Sequence, residues 1–303
     1  MLRFRAEQRI VDVHGIRFGG QPGQLPVVII PCLFNPRMKE VNSHQAGSFD
    51  KRKVKFLLSS LDRISEKTGN PYTVDIMATT PQAMTKYIGF VSEELGDLPF
   101  LFDAVDPKTR MTTAEYVNSS GLKDRAVWNS FSLTSTKEEL ESVTDNGIKN
   151  VIVQAFDRRD TSPKGSLASI TSSGLLNKVR AAGAENILID VAILDVASMG
   201  VSSNTISLIR DEIGLPTGCA PANATYQWKE KRIDLLRKNF GSCHAAACAI
   251  MQFSGSNYVM TGPIKNVRRV FKACAMTDAM IAYAARTNDI RPESKTHPIY
   301  KVL

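Results

Sequence analysis

The chain has 303 residues, 38 Lys and Arg against 30 Asp and Glu, a net charge of +8, and 43% apolar and 22% charged side chains. That length suits one large α/β domain, the composition excludes a disordered bulk, and no run of about 18 apolar residues suggests a membrane span. Five cysteines (Cys32, Cys219, Cys243, Cys248, Cys274) and an opening MLRFRAEQRIVDVHG without an apolar signal core point to free thiols in a reducing cytoplasm.

Residues 2–20 alternate in polarity and break at Gly15. This pattern predicts a β-hairpin extension within residues 1–24, set to plug the bottom of the domain that follows. Gly19-Gly20-Gln21-Pro22-Gly23 leads into a strand and reads as a turn, not a phosphate cradle. Eight short apolar runs then recur, at residues 26–31 (PVVIIP), 72–77 (YTVDIM), 98–103 (LPFLFD), 125–129 (RAVWN), 150–156 (NVIVQAF), 186–190 (NILID), 215–218 (LPTG) and 257–261 (NYVMT). Runs apolar on both faces predict parallel strands covered by helices.

The segments between them carry helical punctuation. Residues 51–68 put Val54, Leu57, Leu58, Leu61 and Ile64 on one face and stop at Gly69. Thr80 with Pro81 reads as a helix start, and Thr112 with Glu115 and Ser135 with Glu138 have capping-box spacing. Gly147, Gly183 and Gly214 each close a helix before the next strand, and a last helix is expected over about 264–286. Eight strand–helix alternations predict a single (β/α)8 TIM barrel spanning residues 1–303, with a doubly wound open sheet as the alternative.

In such a barrel the C-terminal strand ends converge on one mouth, where active sites sit. Here they carry Asn35, Asp75, Asp103, Asp106, Asn129, Asp157, Asp160, Asp190 and Asn223. Carboxylates accept from adjacent N–H donors, and amides both donate and accept, so this ring suits the 2-amino-4-oxo-pyrimidine edge of a pterin. The same groups could hold a sugar or a metal. Asp103, Asp106, Asp157 and Asp160 could form an oxygen site for Mg2+, or simply cap loops and helices. Cys243, His244 and Cys248 read as a buried small-residue helix more readily than as zinc ligands. His14, His44 and His297 read as structural or solvated. No phosphate loop, dinucleotide fingerprint or serine-hydrolase elbow is present. The basic runs at 50–53, 229–232 and 268–269 read as solvated helix faces or as a field for an anionic partner, and no nucleic-acid motif accompanies them.

The segments GGQPGQLP (19–26), AGSFDK (46–51), TGNP (68–71), FVSEELGDLPFLFD ending at Asp103, RAVWNS (125–130), GPIKN and ACAMTDAMIA run nearly end to end. By them the chain resembles the H subunit of tetrahydromethanopterin S-methyltransferase and its stand-alone relatives, the methylcorrinoid:tetrahydrofolate methyltransferases. The resemblance implies a homodimeric pterin-binding barrel of one-carbon metabolism. Such a barrel moves a methyl group between pterin N5 and a corrinoid (methylcobalamin) supplied by a separate corrinoid protein. It implies pyrimidine-holding roles for Asp103, Asn129 and Asp190, with Asp75 a further candidate, and a catalytic contact to N5 for Asn223. No metal is bound by the chain itself on this reading.

Two mouth loops depart from the pattern. CLFNPRMKEVNSHQ replaces an aromatic, glycine and histidine segment, and AILDVASMG replaces a proline- and glycine-rich one. The reading favoured from the sequence is a cytoplasmic tetrahydrofolate methyltransferase. A tetrahydromethanopterin-specific methyltransferase and a non-catalytic pterin-binding component of a methyltransferase complex are the alternatives. A dihydropteroate synthase on the same barrel would need a Ser-Arg-Lys cluster after the seventh strand, where GCAPANATYQW has none.

Overall fold

In the computed structural model, which describes residues 3–236 and 238–303, the eight apolar runs form the parallel strands of one closed barrel. The strands are β1 (Val28–Leu33), β2 (Val74–Met77), β3 (Phe100–Asp103), β4 (Ala126–Phe131), β5 (Asn150–Ala155), β6 (Asn186–Val191), β7 (Thr217–Cys219) and β8 (Tyr258–Pro263). β8 pairs with β1 and closes the sheet, with Tyr258 in register with Val28. The open-sheet alternative is thereby excluded. Boundaries differ from the expected runs by up to two residues, with β1, β2, β3 and β7 starting two residues later than the apolar run and β4 and β8 one.

Helices cover the outside: α1 (Lys51–Thr68), α2 (Pro81–Glu94), α3 (Pro107–Ser119), α4 (Lys137–Asn146), α5 (Pro163–Ile170), α6 (Leu175–Ala181), α7 (Met199–Ile213), α8 (Pro221–Lys231), α9 (Ile233–Leu236), α10 (Phe240–Phe253) and α11 (Val267–Ala285). α1 begins where Asp50 accepts from the Lys53 amide and ends at Gly69 in the left-handed conformation. There a side chain would collide with the Thr296 carbonyl. Two caps differ from the expected ones. α3 starts at Asp106-Pro107, so Thr112 and Glu115 lie inside it, because an Asp followed by a first-turn proline is the stronger start. The capping box of α4 is Thr136 with Glu139, one residue beyond Ser135 and Glu138. Ser135 instead accepts from the Ser132 amide.

Alternation along each strand sorts the barrel interior into layers. Val28, Ile30, Leu101, Val127, Ile152, Leu188, Tyr258 and Met260 point inward and are buried together. Their bottom side is closed by Val11, Val13, Ile16 and Phe18 of the hairpin (strands Ile10–Val13 and Ile16–Gly19), with Phe18 edge-on to Tyr258. The expected plug is present; Met1 and Leu2, at its start, lie outside the described residues. Tyr258 crosses the barrel and donates to the Ile189 carbonyl at 2.8 Å. A Cβ at Gly218 would lie 2.5 Å from the Tyr258 carbonyl oxygen and 2.6 Å from its ring, so β7 needs glycine there. Arg210 of α7 ties the hairpin to the wall, donating to Gln8 at 2.6 Å, to Asn257 at 2.7 Å and to the Gly20 carbonyl. At the same pole, Asp278 of α11 accepts from Asn70 at 2.6 Å and from the Val27 amide.

Among the described residues no helix is long and apolar enough to cross a membrane. Lys51, Arg52, Lys53, Arg268 and Arg269 stand in solvent on their helices.

Candidate functional site

Above the apolar layer, the next inward-facing position on each of four consecutive strands is polar. Leu101 is followed two residues on by Asp103, Val127 by Asn129, Ile152 by Gln154, and Leu188 by Asp190. Strand register sets Asp103 beside Asn129 and Gln154 beside Asp190. Asp75 of β2 completes the arc, in register with Cys32 of β1. The barrel therefore carries a polar layer on an apolar floor, open only toward the mouth.

All five residues expected at the site, Asp75, Asp103, Asn129, Asp190 and Asn223, line one cavity of 530 Å3. Asn223 enters from the first turn of α8 and is exposed. The loop after β1 supplies Asn35. It is shaped by Phe34, which holds a positive φ of 58° and stacks on Tyr87 at 3.8 Å between ring centroids. A buried phenylalanine in that conformation is strained, and the stacking offsets the cost.

The electrostatics follow from burial. Asp75 is held well above the ordinary carboxylate range, first by desolvation and then by the charges of Asp103 and Asp190; the hydrogen bond from Asn129 Nδ2 to its Oδ1 at 3.3 Å opposes this. Desolvation pushes Asp190 up to about 7, against the restraining contact of Gln154 and with Asp103 adding repulsion. Asp190 Oδ1 is buried with no hydrogen-bond partner among the described residues. Asp103 is lifted to about 6 by desolvation and restrained by the Arg110 guanidinium. Arg110 itself is fixed by Glu139, Nε to Oε1 at 2.8 Å, and donates to the carbonyls of Ala104 and Val105. Three carboxyls so placed resist joint ionisation. A flat ligand presenting two adjacent N–H donors would relieve both the repulsion and the orphaned oxygen.

The remaining acidic candidates are committed elsewhere. Asp106 caps α3 through the Thr109 amide at 2.9 Å. Asp157 is paired with Arg159 at 2.7 Å, and Asp160 accepts from the Ser162 amide at 3.0 Å. They do not converge with Asp103, so the suggested Mg2+ cluster is not assembled. No group of three or more His, Cys, Asp or Glu among the described residues is arranged to hold a metal. His244 is enclosed on α10 between the Thr225 hydroxyl at 2.8 Å and the Thr261 carbonyl at 3.0 Å, and desolvation lowers it to about 4. His297 is likewise buried and caps the turn at Pro298.

Gln154, Cys32, Met77, Ser130 and Tyr226 also line the cavity, and sequence reasoning does not single them out. Gln154 carries a detectable signal. It lies two residues beyond Ile152 in a strand of alternating facing, whereas Asp157 and Asp160, the more conspicuous letters, fall past the strand end. Tyr226 lies three residues after Asn223 on α8, the spacing of one helix face.

Comparison with known proteins matches residues 6–293 to the family described as tetrahydromethanopterin S-methyltransferase MtrH subunit. Among curated relatives, the H subunit of tetrahydromethanopterin S-methyltransferase from Methanothermobacter marburgensis is 32% identical over 313 residues, covering 100% of both chains. Its counterpart from Methanothermobacter thermautotrophicus is also 32% identical, with 100% of both chains covered. Among solved structures, a Yersinia pestis dihydropteroate synthase with a pterine-sulfa conjugate superposes with a TM-score of 0.61 at 12% identity, over 91% of this chain and 100% of that one. At that identity the likeness shows a shared barrel fold and nothing further.

Proposed function

The chain belongs to the tetrahydromethanopterin S-methyltransferase MtrH family, and from that premise we propose that it transfers a methyl group between N5 of a tetrahydromethanopterin-type pterin and a corrinoid. The observation that carries the reading is the arc of three buried, mutually repelling carboxyls with amide neighbours in one cavity. On this reading Asp190, with its orphaned oxygen, and Asp103 accept from the pyrimidine amino and ring N–H groups. Asn129 donates to the ring oxygen while bracing Asp75. Asn223, at the open edge, contacts N5 and stabilises it in the state that must hold a proton when the methyl group leaves. The chain's contribution is orientation, which can supply several powers of ten in rate.

The corrinoid cobalt accepts or donates the methyl group and is brought by a partner protein. A docking face for that partner is supported by exposed apolar side chains on the mouth loops: Val105 after β3, Leu133 after β4, and Leu194 and Val196 after β6. Homodimerisation is supported by a second apolar surface, the outer face of α10 and α11 with Ile250, Phe253, Met276, Met280 and Tyr283 exposed.

The pterin type separates this reading from the tetrahydrofolate one. Full-length relatives named for tetrahydromethanopterin favour the former; the divergent loops after β1 and β6, both at the mouth, keep tetrahydrofolate as the second reading. An anaerobic assay with methylcobalamin and each pterin in turn decides. Growth of cob(I)alamin absorbance with tetrahydromethanopterin supports the proposal, and growth with tetrahydrofolate alone replaces it by the second reading. Binding of a pterin without turnover, even with a corrinoid protein present, would make the chain a non-catalytic component of a larger complex.

A further inference from the structure

A second cavity of 270 Å3 opens beside the first and shares Asn35, Arg37, Tyr226 and Pro263 with it. Its walls are apolar, built from Met38, Leu57, Ile233 and Ile264 around the Tyr226 ring. Its rim carries Arg37, Lys229 and Lys265 with Glu40 and Glu230. Arg37 is ion-paired with Glu230. Lys229 and Lys265 form no ion pair among the described residues, and the Lys229 ammonium is poised 4.6 Å from the centre of the Phe240 ring.

We infer that this groove takes the aryl arm, ending in an anion, that tetrahydropterin one-carbon carriers bear on C6. The inference rests on the pterin reading of the mouth cavity and extends it. N5 and C6 are adjacent ring atoms, so a pterin with N5 toward Asn223 must send its C6 substituent past the same edge of the mouth. That edge is α8. Asn223, Tyr226 and Lys229 follow one another at three-residue spacing along it. Six residues of helix advance about 9 Å, the reach of a short linker and one aromatic ring. Tyr226 thus meets the aryl group, and Lys229 and Lys265, on the rim, meet the arm where it leaves the groove toward its anionic end.

The other neighbouring cavity is a poorer exit. Lined by Ser132, Leu133, Phe156, Arg158 and Arg159 among others, it shares only Gln154 with the mouth cavity, and of its two arginines Arg159 is already bound to Asp157. It also lies beyond β4 and β5, away from Asn223.

The test compares equilibrium binding of full-length tetrahydromethanopterin with that of 6-methyltetrahydropterin, which lacks the arm. Wild-type protein and a Lys229→Ala, Lys265→Ala double variant are measured at low and high salt. The expected result is a preference of about tenfold or more for the arm-bearing pterin in the wild type. The double variant should lose about 3- to 10-fold of that affinity, in line with modest gains from part-exposed charges. It should leave 6-methyltetrahydropterin binding unchanged, and salt should erode the wild-type preference. Equal affinity of the wild type for both pterins, or equal weakening of both by the double variant, overturns the groove assignment while leaving the pterin site standing. If the wild type binds neither pterin, the pterin reading fails and takes the arm with it.

Discussion

Replacing Asp190 by asparagine isolates the energetic tension of the candidate site. In the fold this carboxyl is held at about 7, against an ordinary value of 3.8. At about 1.4 kcal/mol for each tenfold change in proton affinity, ionising it there costs the folded state about 4 kcal/mol. The sign follows from proton binding. Between 3.8 and about 7 the folded state holds the proton more often than the unfolded chain does, so stability falls as pH rises through that window and is level above it. Asparagine removes the charge but keeps the shape. The variant should therefore be more stable than the wild type, and its advantage should be larger at pH 8 than at pH 5 by about 2–3 kcal/mol. For a chain of this size that is a difference of about 5 °C in the Tm gain, read by calorimetry of the ligand-free protein at the two pH values. The same variant should bind pterin far more weakly. An equal Tm change at both pH values, or a loss at pH 8, would mean that Asp190 is solvated or paired in the ligand-free protein, and the account of an orphaned carboxyl would be wrong.

Other expectations follow from the same geometry. Asn223→Ala should cut kcat by about 100-fold with pterin affinity within about threefold, since a contact made mainly in the transition state is lost from rate and not from binding; single-turnover rates set against equilibrium titration check it. Pterin affinity should rise with pH through about 6 to 7 as Asp103 and Asp190 ionise, with proton release on binding near pH 7, measured by calorimetry in buffers of different ionisation enthalpy. Arg110→Ala should destabilise the protein by about 3–5 kcal/mol, because Glu139 is 1% exposed and would lose its counter-ion, as denaturant titration would report. The same change should also move the Asp103 titration upward, visible as an alkaline shift of the pterin-binding profile.

The barrel is legible in the sequence because its signal is redundant. Strands buried on both faces, such as VIIPCL and NILIDV, read as nearly continuous apolar runs, and the helices between them carry real stops at Gly69, Gly147 and Gly214. Caps are less so. In SLTSTKEE both Ser135 and Thr136 have an acid three residues on, and only the turn at Ser132 decides between them. The site is half legible. Strand-end acids are visible as letters, but their facing depends on register, so Gln154 escapes notice while Asp157, two residues outside the strand, attracts it. The motifs carrying the family resemblance divide between the poles: TGNP supplies Asn70, ACAMTDAMIA its partner Asp278 and GGQPG the Gly20 carbonyl that receives Arg210, while the motif ending at Asp103, RAVWNS and GPIKN reach the mouth with Asp103, Asn129 and Pro263.

The seam between β8 and β1 joins the end of the chain to its beginning. On a ribosome adding about 5–20 residues per second, β1 emerges roughly 10 to 50 s before the strand that covers its second edge. Throughout that interval a six-residue, fully apolar strand has an open ladder of donors and acceptors. The hairpin is made just before β1 and needs no later residue for its own pairing, but the side chains it packs on and Arg210, which ties it down, are made later. Yield in a foreign host should therefore depend on what shields that edge during synthesis more than on the stability of the finished barrel.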